Sequence, residues 1–330
     1  MTITSTPAAV RPARRAARTG LLALLVLPGL AWAVVRLFGP ERGFLVPLVA
    51  FTPYVALWAW LPLVLALIAR KWLIAAAALV AAAILAVCVL PRTLPDADRG
   101  PSTGFRLTVL TINVFIGQAD PAAIVALVRD HDVAVLAVQE FTPRERAGLT
   151  AAGLDVLLPH QALADEVGTT GSGVYSRYPL TDQGSVVGAG GNRQAYATIQ
   201  PPGAAAVAVE SAHPLAPYAT SALPAWRADL AAEPVPDPAG PPRILLGDFN
   251  STLDHAPVRR LLGRGYRDAA DATGQGLLGT WGPYDGKPVP PVTLDHVLTD
   301  KRIGVRKVSV HPVAGSDHRA VLATLTVPGG

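Results

Sequence analysis

The chain has 330 residues, 51% of them hydrophobic and 16% charged, with a mean hydropathy of +0.36; it is too apolar for an ordinary soluble enzyme and too polar for a chain that is all membrane, so it divides. Residues 1–100 hold ten Lys or Arg against three acids (+7) and residues 101–330 hold eighteen against twenty-one (−3), so the second part lacks the basic footprint of a nucleic-acid enzyme. A lone cysteine, Cys88, excludes a disulfide framework and a thiolate metal site.

Three apolar stretches come first, Gly20 to Phe38, Phe44 to Ile68 and Trp72 to Leu90, each near the ~20 residues that a helix needs to cross a bilayer. They predict three transmembrane helices over residues 20–90. Pro28, Pro47, Pro53 and Pro62 would break soluble helices, but membrane helices tolerate proline where neighbours re-satisfy the freed carbonyls. Arg36 is placed to snorkel from the end of the first span. Arg11, Arg14, Arg15 and Arg18 precede that span, and Arg70-Lys71 separate the second from the third. Basic flanks stay in the cytoplasm, so residues 1–19 form a cytoplasmic N-terminus, Gly39 to Arg42 face outward, and everything after the third span is extracytoplasmic. Ala31-Trp32-Ala33 also suits signal-peptide cleavage, but apolar residues continue through Val34, Val35 and Leu37, which favours an uncleaved anchor. Either way the C-terminus lies outside.

Residues 91–104, rich in Pro, Gly and charge without an apolar period, read as a linker. From residue 105 the chain alternates a strand-like "RLTVLTINVFI", a helical "PAAIVALVRDH", a strand-like "VAVLAVQEF" and a helical "PRERAGLTAAG". Later runs, "GSGVYSRYPL", "QAYATIQ", "AAVAVESAH", "PRILLGDFN", "DHVLTD", "GVRKVSVHP" and "RAVLATLTV", are mostly strands joined by short turns. Too many strands follow too few helices for a doubly wound fold. The expectation for residues 105–330 is an α/β (α+β) sandwich, two mixed sheets face to face with helices outside, in four layers.

Asn113, Glu140, His213, Asp248 with Asn250, Asp295, and Asp317 with His318 each sit at the end of an apolar run. Strand ends are where a rigid scaffold places chemistry, so these residues are expected to converge on one rim. Their chemistry is coherent. A hard cation such as Mg²⁺ takes carboxylate and amide oxygens, which Glu140 and Asn113 supply without closing the coordination sphere. Phosphoryl transfer asks the protein mainly to position a nucleophile and neutralise charge; Asp248 and Asn250 would position water. Asp295 is available to orient a histidine, His213 or His318, that donates to the developing charge.

These residues carry a resemblance. Gly247-Asp248-Phe249-Asn250, Leu294-Asp295-His296-Val297, Ser316-Asp317-His318, Glu140 of "VQEF" and Asn113 of "TINVF" resemble the endonuclease/exonuclease/phosphatase superfamily over residues 105–327. The resemblance implies Mg²⁺-dependent (or Mn²⁺-dependent) cleavage of phosphoester bonds. It implies Asn113 and Glu140 as metal ligands, Asp248 as the nucleophile-activating or metal-linked acid, Asn250 as the orienter of phosphate or water, His318 as the transition-state histidine and His213 as the family's first histidine; Asp317, beside His318, reads as a metal-linked or supporting acid. Within that superfamily, the three-span anchor and "PAWRADL", "GDFNSTLDHAPVRRLL", "GTW" and "LDHVLTD" resemble the VanJ-type membrane proteins associated with teicoplanin resistance. That similarity implies an outward-facing phosphatase of a polyprenyl pyrophosphate or related cell-wall lipid.

The segment from Pro214 to Pro242 holds a single basic residue before Arg243's strand, Arg227, where duplex-gripping relatives carry basic loops, so nucleic acid is not the expected partner. Trp226, Leu215, Tyr218 and Leu223 suit either a lipid tail or a structural cover over the sheet. His131, His160, His255, His311 and Arg177 read as structural, and His296 as alternating to the opposite face from Asp295. Three other functions stay open at this point: a phospholipid or sphingolipid phosphodiesterase, a secreted-side nuclease, and a noncatalytic head-group binding module. The last has little use for Glu140, Asp248, Asp295 and His318 together.

Overall fold

A computed structural model describes residues 10–283 and 288–330. The chain divides into two compact units, one of residues 1–40 and 51–90, the other of residues 41–50 and 91–330.

The first unit is helical. Among the described residues, two helices are long and apolar enough to cross a membrane, Arg15–Phe38 and Trp72–Thr93, and a shorter apolar helical run, Thr52–Ile68, lies between them in sequence. Helices of this kind serve as membrane anchors or, near the N-terminus, as signal sequences. Val26, Leu63, Ala66, Ala75 and Ala78 pack together, small residues letting the helices approach closely. Large apolar side chains such as Leu24, Leu61 and Leu73 remain exposed. The stretch Phe44 to Ile68, read from sequence as one span, is not one helix: it breaks into Leu45–Val49, Thr52–Trp58 and Trp60–Ile68, and residues 41–50 belong to the other unit. The physical reason is Val46, which is fully buried in that unit's core beside Trp226, Phe249 and Leu261.

Among the described residues the second unit contains twelve strands: β1 (Phe105–Asn113), β2 (Val135–Gln139), β3 (His160–Ala164), β4 (Ser172–Ser176), β5 (Leu180–Val187), β6 (Arg193–Ile199), β7 (Val207–Ala212), β8 (Arg243–Asp248), β9 (Tyr266–Asp268), β10 (Asp295–Asp300), β11 (Gly304–Pro312) and β12 (Arg319–Val327). They form two six-stranded sheets, ordered β11-β12-β1-β2-β4-β3 and β5-β6-β7-β8-β10-β9. Each sheet is antiparallel except for one parallel pair, β1 with β2 and β7 with β8. A parallel pair needs a crossover, usually helical, and Pro121–Asp130 and Leu223–Ala232 supply them. Asp120 caps the first with its carboxylate on the Ala122 N–H, ahead of Pro121 at the first helical position.

Strand side chains alternate between two cores. Leu107, Val109, Val209, Ile244, Leu246 and Val297 meet between the sheets. Leu110, Ile112 and Leu136 pack under the helices outside the first sheet, and Leu245 and Leu298 do so outside the second. The layers are therefore helix, sheet, sheet, helix, the two mixed sheets expected from the sequence. Near the rim, buried polar groups tie the sheets together: Thr111 Oγ1 donates to Gln139 Oε1 at 3.1 Å, and Gln139 Nε2 to Ser211 Oγ at 2.8 Å. A satisfied buried network of this kind sets spacing as well as adding stability.

Candidate active site

The rim is built by topology. The carboxyl ends of β1 and β2 carry Asn113 and Glu140, and those of β7 and β8 carry His213 and Asp248. β10 runs antiparallel to β8 with Asp295 opposite Asp248, and β12 runs antiparallel to β1, so His318, just before β12, arrives beside Asn113. Gly247 is required because β7 comes close: a Cβ there would collide with the carbonyl oxygen of Ala212. Glu140 and Asn250 adopt left-handed backbone, φ +53° and +48°, uncommon for side-chain-bearing residues and concentrated at functional sites.

All eight residues singled out from the sequence lie at this rim, in a linked set. Asn113 Nδ2 donates to Glu140 Oε1 at 3.1 Å and to Asp248 Oδ2 at 3.0 Å. Its own Oδ1 accepts from the Phe115 N–H, so in this arrangement Asn113 presents its nitrogen, and not its oxygen, to the carboxylates. The Ile116 N–H holds Glu140 Oε2 at 2.8 Å. Asp248 Oδ1 accepts from the Asn250 N–H, and Asn250 Nδ2 donates to the Pro214 carbonyl. Asp295 Oδ2 lies 2.8 Å from His318 Nδ1. That contact directs His318 Nε2 toward Asp248 Oδ2, at 3.6 Å, while His213 Nε2 is 3.9 Å from the same oxygen. Asp317 Oδ2 accepts from Trp281 Nε1, and its Oδ1 is 4.0 Å from His318 Nε2.

Electrostatics follow from burial. Loss of water pushes the carboxyls of Glu140 and Asp248 up, against lowering by Asn113's hydrogen bond in the first case and His318's charge in the second. Burial also lowers His213. In His318 burial works downward too, but the charges of Asp295 and Asp248 and the hydrogen bond donated to Asp295 outweigh it, and the imidazole is pushed up to about 10. The two histidines are thus separated, one neutral and one imidazolium at neutral pH.

The donor set suits a hard divalent cation. Glu140 and Asp248 are drawn by one amide to a common point, and Asp295 Oδ1 and Asp317 Oδ1 are buried without hydrogen-bond partners. Asp248, Asp295 and His318 also offer atoms within 4.8 Å of one another. We read His318 as a hydrogen-bond donor instead of a ligand, because its Nδ1 is engaged by Asp295 and its Nε2 faces a carboxylate. Beside His318 and Asp317 opens a cavity of about 270 Å³, walled by Phe115, Pro283 and Val313.

Sequence reading missed the residues that brace this set. Thr280 Oγ1 accepts from the N–H of Asp295 at 3.0 Å. Ser316 Oγ donates to the Asn113 carbonyl and accepts from the His318 N–H. Gln194 Oε1 accepts from the His213 N–H at 2.5 Å. Only proximity to motifs marked any of them. The lipid-contact option for Trp226 and Leu223 is corrected: both are buried in the core under the second sheet, because the crossover helix must cover β7 and β8. Arg177 pairs with Asp132, and His296 bonds Asp268 and the Ser251 carbonyl on the outer face.

The model of the Endonuclease/Exonuclease/phosphatase family matches residues 110–318. A comparison with curated proteins returns no match. Among solved structures, the fold is similar to that of an endonuclease/exonuclease/phosphatase from Beutenbergia cavernae (TM-score 0.53, 19% identity, 68% of this chain and 72% of that one). It is also similar to humanized D. rerio TDP2 (0.56, 13%, 67% and 99%) and to truncated Caenorhabditis elegans TDP2 (0.54, 16%, 68% and 98%). At these identities the likeness speaks to fold, and the family match spans more than half of the chain. The chain belongs to the endonuclease/exonuclease/phosphatase family.

Proposed function

We propose that this protein is a membrane-anchored, outward-facing, Mg²⁺-dependent phosphohydrolase of a polyprenyl pyrophosphate, such as undecaprenyl pyrophosphate, or a related cell-wall lipid intermediate, and that teicoplanin resistance is one outcome of that activity. The observation that carries the phosphohydrolase reading is the pairing of an Asn113-bridged Glu140 and Asp248 with an Asp295-held His318 across 3.6 Å. Glu140, oriented by Asn113 Nδ2 and with Asp317 in support, would hold the cation, which when bound neutralises phosphate charge and polarises the scissile bond. Asp248 takes a proton from the attacking water, oriented with help from Asn250. A P–O bond forms at the terminal phosphorus, the anhydride P–O bond breaks, and inorganic phosphate separates from the lipid monophosphate. His318, cationic and fixed by Asp295, donates Nε2–H to charge developing on phosphate oxygens; His213, neutral, lines the same oxygen of Asp248.

Lipid as the partner is supported by the apolar helices and by the −3 balance of residues 101–330, which suits a substrate met at high local concentration on a membrane better than a polyanion captured from solution. The outward orientation is supported by the basic flanks and by the packing of residues 41–50 into the same unit as residues 91–330: these segments share a side, so residues 51–90 cross an even number of times. Full-length protein in detergent is expected to release phosphate from undecaprenyl pyrophosphate with Mg²⁺, to stop with EDTA, and to be inactive as Asp248→Ala. Turnover of phospholipid or sphingolipid diesters alone would replace the pyrophosphatase assignment, and tight head-group binding without turnover of any phosphoester would overturn the enzyme reading.

A further inference from the structure

β8 ends on Asp248, and the chain continues through Asn250 into a turn, Ser251 to His255, that opens the helix Ala256–Gly263. Asp254 and His255 in this turn and Ala256 at the start of the helix are held by residues remote in sequence, with separations of 162 to 215 positions. Asp254, fully buried, forms a two-pronged pair with Arg92, Nη1 to Oδ2 at 2.9 Å and Nη2 to Oδ1 at 2.7 Å. The Thr252 N–H donates to His255 Nδ1 at 2.9 Å, which leaves the ring proton on Nε2, and Nε2 donates to the Val46 carbonyl at 2.9 Å. The Ala256 N–H, one of the helix's unpaired donors, meets Glu41 Oε1 at 2.8 Å, and Arg227 holds the Glu41 carbonyl. Val46 shares its apolar cluster with Phe249, the residue between Asp248 and Asn250.

A buried ion pair contributes little net stability, because desolvation offsets its attraction, but it tolerates little displacement. One such pair, with two buried hydrogen bonds and an apolar plug beside it, is therefore better suited to fixing the position of the turn than to adding stability. Glu41 lies between the first two apolar stretches and Val46 at the start of the second, and Arg92 stands two residues after Leu90, the end of the last.

We propose that this turn is a positioning element through which residues 41–50 and the chain at Arg92 set the placement of Asp248 and Asn250, with Glu41 and Arg92 as positioning residues. The site is then competent only when both segments are seated. The catalytic part of this inference rests on the hydrolase reading above; the tethering does not.

Full-length protein in detergent is compared with Glu41→Ala and Glu41→Gln by three readouts: turnover, Mg²⁺ affinity by calorimetry, and amide hydrogen exchange. The expected result for Glu41→Ala is a kcat at least tenfold lower with KM within twofold, and exchange at least tenfold faster at residues 249–256 but unchanged in β1 and β12. Glu41→Gln, which keeps an acceptor for the Ala256 N–H, recovers most of the kcat. Unchanged kcat in Glu41→Ala, or a loss matched by faster exchange through the whole domain, overturns the proposal. Should Glu41→Ala fail to fold, His255→Gln, which disturbs the Val46 tether, carries the same readings. If wild type turns over no phosphoester, the hydrolase reading has failed by itself. Mg²⁺ affinity then decides the positioning claim: a weakening of at least fivefold in Glu41→Ala supports it, and an unchanged affinity overturns it.

Discussion

Asp295 shows how one side chain controls the chemistry of another. Its carboxylate accepts from His318 Nδ1 at 2.8 Å, and its charge leads the opposition to burial that keeps the imidazole up at about 10. Asp295→Asn removes that charge, so the His318 pKa falls and the imidazolium is lost at lower pH. A pH–rate profile should show the alkaline limb moving downward, with kcat at neutral pH reduced about 10²-fold or more, the scale of a general acid–base contribution. His255 makes the opposite case. Burial lowers its pKa to about 4, against ~6.5 in an unfolded chain. The unfolded state therefore binds the proton first, and stability falls as pH drops from ~6.5 to ~4, by roughly 3 kcal/mol for such a shift. Denaturant titrations across that window should show the loss, and a His255→Gln variant should lack most of this pH dependence.

At the scale of elements, the two parallel pairs are what make a site. A parallel pair delivers both carboxyl ends to the same edge, and β1 with β2 and β7 with β8 bring Asn113, Glu140, His213 and Asp248 together from four segments. The close approach of β7 to β8 leaves no room for a side chain at 247. Gly247→Ala is expected to lower stability by more than about 1 kcal/mol, measurable as a shift in denaturation midpoint with unchanged slope. Most strands were legible as apolar runs with turn residues between them: "DHVLTD" and "GVRKVSVHP" coincide with β10 and β11. β3, β5 and β9 were not. β5 is an edge strand with a largely exposed pattern and a register shift between Thr181 and Gly184, and β9 has three residues, too few for alternation to register.

At the scale of the whole molecule, the proposed topology has a direct consequence. In a Cys88→Ser background, an impermeant thiol reagent applied to intact cells should label Arg42→Cys, whereas Arg70→Cys should react only after permeabilisation. Labelling of Arg70→Cys from outside would reverse the orientation. The division of the chain into an apolar, basic beginning and an acidic remainder was legible because hydropathy and charge are local sums that need no partner. The break inside Phe44 to Ile68 was not, because apolar content alone does not distinguish a residue facing lipid from one, like Val46, plugged into the core of another unit.

The sequence by itself determined the eight rim residues, Asn113, Glu140, His213, Asp248, Asn250, Asp295, Asp317 and His318, since polar groups closing apolar runs in a family's order are a one-dimensional signal. Only the tertiary structure decided that Asn113 turns its nitrogen to two carboxylates, that Asp295 pairs with His318 while His213 stays neutral, and that the turn after Asp248 is tied to Glu41, Val46 and Arg92. Those facts depend on distances between residues 23 to 215 positions apart, and such distances exist only once the sheets have paired and packed.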